Sequence, residues 1–448
     1  VVAASLDISG NIDVDGTTNL DVVDIDGAVD MATTLTVGAE LSVGADVRLT
    51  AGLMELDPHE AGLITGNATS KLYSTGSDFD GTNGSVILQA RPTAGASAYI
   101  VTGGTPTARF KIASDGSLST PTAGTSNVRF GVNAGNSIAS GGVQNVVIGD
   151  EAGTALTTGD SNVAIGFEAL KTEDAHGLNV AIGSQTLRTL NAGTNAFNVA
   201  IGASAGYSLT TGVQNVLIGG LSGDALTDAD ANVGVGMSTL STNVLGSNNV
   251  AIGTNSLATL NPASAVAMYN TAVGSNAGIA VTTGIQSTLI GGLAGDALTT
   301  GNNHVVVGVK ALTSEVLGSA AVAIGYSALE AQNMGANTES FNVAVGFKAG
   351  EAVSTGVQNT LIGGLAGDAL TDADFNTAVG HLALTSDTLG SRSTAIGMNT
   401  LRDQNFTSGT ETNNVAVGHG AGLKVTTGVQ NTLIGGLAGD ALTDADNN

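Results

Sequence analysis

The stretch GVQNTLIGGLAGDALTDAD occupies residues 356–374 and returns unchanged at 428–446, 72 residues later. Near copies stand at 212–230 (GVQNVLIGGLSGDALTDAD) and 284–302 (GIQSTLIGGLAGDALTTGN). Inside each copy lies a shorter phrase of the form N-V-x-I-G, and that phrase decides the fold. From Gly131 to Gly435 its closing glycine occurs 18 times, and from Gly219 the spacings run 17, 17, 21, 17 and then repeat. Four units therefore make one 72-residue super-repeat.

The phrase obeys a narrow chemistry. Its second residue is Val or Thr in all 18 copies, and its fourth is Ile or Val in 17, with Phe130 the exception. β-Branched residues two apart share one face of a strand. The residue between them is commonly Ala, as at Ala164, Ala181 and Ala251. The pattern thus predicts a Val/Ile face that is buried and a small residue facing a tighter space. The leading residue is Asn in 14 copies and is suited to turns and stacked amide ladders. The closing glycines, among them Gly166, Gly183, Gly202, Gly219, Gly236 and Gly253, permit a sharp turn or close backbone approach. The fourth residue past the glycine alternates in pairs, Gly206 and Gly223, then Leu240 and Leu257.

A 17-residue unit of this kind, read as two short strands and two turns, is one coil of a β-solenoid that folds only by stacking on its neighbours. The expected fold is all-β, a parallel β-roll over 127–448. The expected domains before it are an N-terminal β shaft at 1–50 and a β-rich knob or shaft insert at 51–126. The shaft reading rests on LDISGNIDVDG (6–16), VDIDG (23–27), LTVG (35–38) and LSVG (41–44), short alternating segments closed by glycine.

Composition agrees. Gly makes up 65 of 448 residues, Trp and Cys are missing, and aromatics are only 3%, yet hydrophobic residues reach 42%. Small apolar residues with glycine suit a thin stacked structure rather than a globular core or a disordered chain. The net charge of −25 argues against gripping nucleic acid or an anionic membrane. No apolar run approaches the ~20 residues of a membrane-spanning helix. The start at Val1 and the stop within a repeat at Asn448 read as a piece of a longer or processed chain.

The V-A-I-G coils resemble the head repeats of trimeric autotransporter adhesins of the YadA type. The 17-residue spelling NVAIGFEALKTEDAHGL (162–178) is also similar to repeats in fibre proteins of tailed phages. TARFKIASDGSLST (107–120) is similar to a segment of phage tail fibres in which an arginine-bearing strand turns through S-x-G into another strand. The resemblance implies a left-handed β-roll, three chains packed side by side, and a structural, adhesive role. It points to a tail or side fibre of a virion, partnered by other tail or baseplate proteins and by a host-surface glycan or protein. The alternative is a bacterial surface adhesin or extracellular filament subunit.

No enzyme site is expected. GASAG (202–206) matches G-x-S-x-G, but its counterparts read GSNAG (274–278) and GFKAG (346–350), and no helix pattern follows. His59, His176, His304, His381 and His419 show no metal-ligand spacing, and His304 replaces the usual Asn of its coil. GGLAG lacks the helix and lysine of a phosphate loop. Asp224, Asp228 and Asp230 admit a calcium ion held between chains, with solvated turn acids the simpler reading. The longer coils carry an aromatic in their added residues: Phe197, Tyr269, Phe341 and Phe406. These either plug a wider coil or a chain interface, or form a repeated receptor contact.

Overall fold

A computed structural model describes residues 124–448 and, before them, the backbone of the strands Ser70–Thr75, Ser85–Ala90, Ala98–Thr102, Thr107–Ile112 and Leu118–Ser119. The expected shaft at 1–50 lies outside the described residues, as does most of 51–126. The chain divides into two compact units, Val1–Ile87 and Leu88–Asn448. In the second unit the strand Thr107–Ile112 pairs antiparallel with Ala98–Thr102 and with Leu118–Ser119. The residues of the turn expected through S-x-G lie outside the described residues.

From Val128 onward the chain is a parallel β-solenoid of 18 coils, and no helix occurs among the described residues. Each coil contributes one three-residue strand. The first is Val128–Phe130, the last Thr432–Ile434, and every strand pairs in register with those one coil before and after, as Val199 with Val180 and Val216. The pairing runs single file in chain order, and no pair joins the first rung to the last. Eighteen rungs at the usual strand spacing span about 85 Å. The second strand expected in each coil is instead a run of tight turns. A second pair of two-residue strands appears only at longer coils, where Gly246–Ser247 meets Val266–Ala267 and Gly390–Ser391 meets Thr410–Glu411.

The strand faces invert the expectation drawn from their β-branched residues. From the second rung on, the middle residue points inward and is buried, fully so at Ala164, Ala251, Leu289 and Val306, while Arg129 in the first rung is part-buried. The flanking Val and Ile point outward and are half-buried or exposed. A coil this narrow leaves inner space for one side chain per strand, so the larger β-branched pair takes the roomier outer face.

The interior fills by volume exchange. Where the fourth residue past the glycine is Leu, as at Leu240 and Leu257, it is fully buried. Where it is Gly, as at Gly223, an added Cβ would meet Leu226 Cδ1 at 2.7 Å and Leu217 Cδ2 at 2.8 Å. Leucines from elsewhere in the coil occupy the space that the missing side chain leaves. This accounts for the paired Gly and Leu alternation.

Backbone polarity is met by ladders. The leading Asn of each coil is buried; Asn215 Oδ1 accepts the Asn232 N–H at 3.0 Å, and Asn215 Nδ2 donates to Ala229 O at 2.8 Å. His304 takes this place in one coil. Its Nε2 lies 2.8 Å from Gly318 O, and its Nδ1 accepts from Ala321 N at 3.3 Å. A neutral imidazole thus performs both tasks of the asparagine amide. The closing glycines hold φ between +117° and +138° in the six named above. A Cβ on Gly202 would stand 2.6 Å from the carbonyl carbon and oxygen of Gly219 in the next coil, so both conformation and space demand glycine there.

Candidate functional site

The outer face of the sheet and its borders carry the features that a partner would meet. Four files of side chains run along the coils. The two central files are the outward Val/Thr and Ile/Val residues of the strands, with Ile201, Ile252, Ile290, Ile362 and Ile396 each 37–39% exposed. One flanking file is the residue after each glycine. There Val309, Tyr326 and Phe347 stand exposed in successive coils, and the Tyr326 and Phe347 rings stack at 5.6 Å. The other flanking file is the residue before each ladder Asn, which adopts a left-handed conformation in every coil from Ser126 to Asn447.

Three of the four sequence-identified aromatics occupy this last file. Phe197, Tyr269 and Phe341 hold φ of +54°, +56° and +48° and are 54%, 60% and 51% exposed. They do not plug their coils. Positive φ is costly for bulky side chains, and equivalent coils place Gln214, Gln286 or Asn303 there. Phe406 differs. It is only 7% exposed, and Asn413 holds the file position in its coil. Phe406 is the residue that fills a wider coil, and it does not join the other three. Its N–H is bound by the buried Asp387 carboxylate at 3.0 Å.

The sequence reading missed Phe375, which shares the file one coil after Gln358. Arg392 lies over its ring at 5.0 Å and pairs with Glu411 at 3.1 Å. These three, with Asp374, Ser391, Gly409 and Thr410, line a shallow pocket of about 200 Å³. Only the coil spacing, which sets Phe375 in register with Phe341, could have revealed it.

The acids of the repeated phrase are anchors of the coil rather than only solvated groups. Asp230 Oδ1 accepts the Val213 N–H at 2.8 Å, and Asp374 and Asp446 make the same bond to Val357 and Val429. Asp228 Oδ1 accepts from Thr211 Oγ1 at 2.6 Å. Each reaches back one coil. Asp224 lies apart, its carboxyl pushed up by burial. Within one chain these acids form no ligand cluster. Among the described residues, only Glu173, Asp174 and His176 bring three metal-ligating side chains within 4.8 Å of one another. The sequence reading found no metal spacing for His176, because the spacing i, i+1, i+3 on a turn is not a recognised signature.

The segment GASAG at 202–206 lies on the turn after a rung, and Ser204 is half-buried with φ +56°. No helix among the described residues is long and apolar enough to cross a membrane. Comparisons with protein-family models, curated proteins and solved structures found no match.

Proposed function

We propose that this chain is a structural segment of a homotrimeric fibre, a tail or side fibre of a tailed phage that reaches to and attaches to the host surface. The observation that carries the reading is the outward file of Ile and Val that closes 17 of the 18 rungs, Phe130 closing the first. Contiguous exposed apolar surface of this extent marks an interaction site. Its occupant must match a rung spacing of about 4.8 Å over the full length, and another copy of the same coil meets that demand. The same rod on a bacterial surface is the alternative reading.

Under this proposal the outward Val/Ile files pack between chains, while Phe197, Tyr269 and Phe341 on their border are the receptor-contact candidates. Repeated weak sites on three chains would add by avidity. No chemical step is assigned.

The test is the solution mass by light scattering during size exclusion. A trimer of the 43.7 kDa chain is the expected result, and Ile252→Glu with Ile290→Glu should lower it. A monomer in both proteins overturns the fibre. A joint Phe197→Ala, Tyr269→Ala and Phe341→Ala variant that keeps its mass and loses host binding supports the contact role. One that keeps both removes it. Antibody labelling of virion tails or of cell surfaces then separates the two owners.

A further inference from the structure

In one coil of each super-repeat the residue seven past the glycine is a buried Glu, Asn or Asp, at Glu173, Asn243, Glu315 and Asp387, and in the last two super-repeats the next coil adds Gln332 and Gln404 at the same place. Buried polar atoms need partners, and three of the first four have them from the chain. Asn243 exchanges two 2.8 Å bonds with the backbone of Gly246. Glu315 accepts from the N–H groups of Val316, Leu317, Gly318 and Met334 and from the Gln332 amide. Asp387 accepts from Gly390 N, Phe406 N and the Gln404 amide.

Glu173 is the exception. It is fully buried, yet it accepts only the His176 N–H at 3.2 Å and the Ala192 N–H at 3.3 Å. Where Gln332 and Gln404 donate in the later super-repeats, one coil on, Leu190 stands here and has no donor to give. Among the described residues, no Lys or Arg pairs with it. With two long backbone bonds and no lysine or arginine beside it, this buried carboxylate is the least compensated of the four for its desolvation.

The same turn supplies two further side chains with metal-ligating atoms that its sisters lack. His176 stands where the others have Gly246, Gly318 and Gly390, and Asp174 stands where they have Val244, Val316 and Thr388. His176 Nδ1 is buried without a hydrogen-bond partner and lies 3.5 Å from Glu173 Oε1. The single copy of the turn with an undersatisfied carboxylate is therefore the copy that adds an imidazole and a second carboxylate beside it.

We propose that Glu173, Asp174 and His176 bind one divalent transition-metal ion of the zinc class. Tetrahedral zinc with bonds of about 2.0–2.2 Å places neighbouring ligands about 3.3–3.6 Å apart, and the Glu173 to His176 separation of 3.5 Å meets that edge. One imidazole nitrogen with two carboxylate oxygens is a zinc-type set, unlike the all-oxygen shells of calcium. Water takes the fourth position on the exposed side. The ion neutralises the buried carboxylate and, through the Ala192 bond, ties this turn to the loop that carries Phe197. The inference is independent of the fibre reading.

The test uses the full chain freed of metal and titrated with zinc chloride by calorimetry. One zinc per chain is expected. His176→Gly and Asp174→Val, which copy the sister turns, should each weaken uptake by about tenfold or more. Equal uptake by the wild type and both variants overturns the site, as does no saturable uptake by the wild type up to about 1 mM. If a variant fails to fold, X-ray absorption of the zinc-loaded wild type decides. A first shell with one imidazole and light oxygen ligands supports the site, and a shell with no imidazole or with several overturns it.

Discussion

Ala251 and Ile252 are neighbours in one rung and meet opposite demands. Ala251 faces a space already filled by leucines from its own and adjacent coils, and it is fully buried. Ile252 faces outward and is 37% exposed. The inner files are bounded on every side by the same chain, so their volumes must close locally. Among the described residues nothing covers the outer files, so no local volume has to close there. The difference teaches that the inner residues specify the coil, while the outer ones are free to specify what the coil meets.

Substitutions on the two faces should separate accordingly. Leu257→Ala opens a cavity between stacked coils and should cost about 2–5 kcal/mol in denaturant unfolding. Asn215→Ala strips the acceptor from the buried Asn232 N–H and the donor from Ala229 O, and should cost about 2–4 kcal/mol by the same measurement. A loss well below 1 kcal/mol in either variant would mean that the coils repack easily, and the contrast between faces would fail.

The His304 rung sharpens the point by making an inner file respond to pH. Burial pushes its imidazole below the ordinary value of 6.5, because the neutral ring is the form that replaces asparagine. The unfolded chain therefore binds the proton first. The stability that the neutral ring contributes is full above about pH 6.5 and falls as pH drops toward the lower folded value. His304→Asn should remove that loss, and melting curves from pH 7.5 to 5 that stay parallel for both proteins would refute it.

The smallest effect belongs to the outer file. Phe341→Gln copies Gln358 one coil on and should change stability by no more than about 0.5 kcal/mol. A destabilisation of about 2 kcal/mol or more would show that the ring is held within its own chain, and would remove Phe341 from the contact candidates.

Much of this was legible in the residues. The spacing of the closing glycines gave the coil, its parallel register and its 72-residue grouping, because stacking in register demands the same backbone at the same place in every turn. The positions of Phe197, Tyr269 and Phe341 followed from that register. Phe406 did not, since its loop of added residues has no repeat to fix which side chain turns inward. The direction of the strand faces was also hidden. Alternation separates Val and Ile from Ala but does not say which set is inside.

The sequence by itself determined the period, the strands and the turn glycines, which are local in cause. The tertiary structure decided the rest: that Ala and Leu fill the interior while Val and Ile face outward, that the repeated acids reach back one coil to backbone N–H groups, and that Glu173, Asp174 and His176 converge. Each of these depends on the width of the coil and on what the next coil places 17 residues away, and neither is encoded within a single turn.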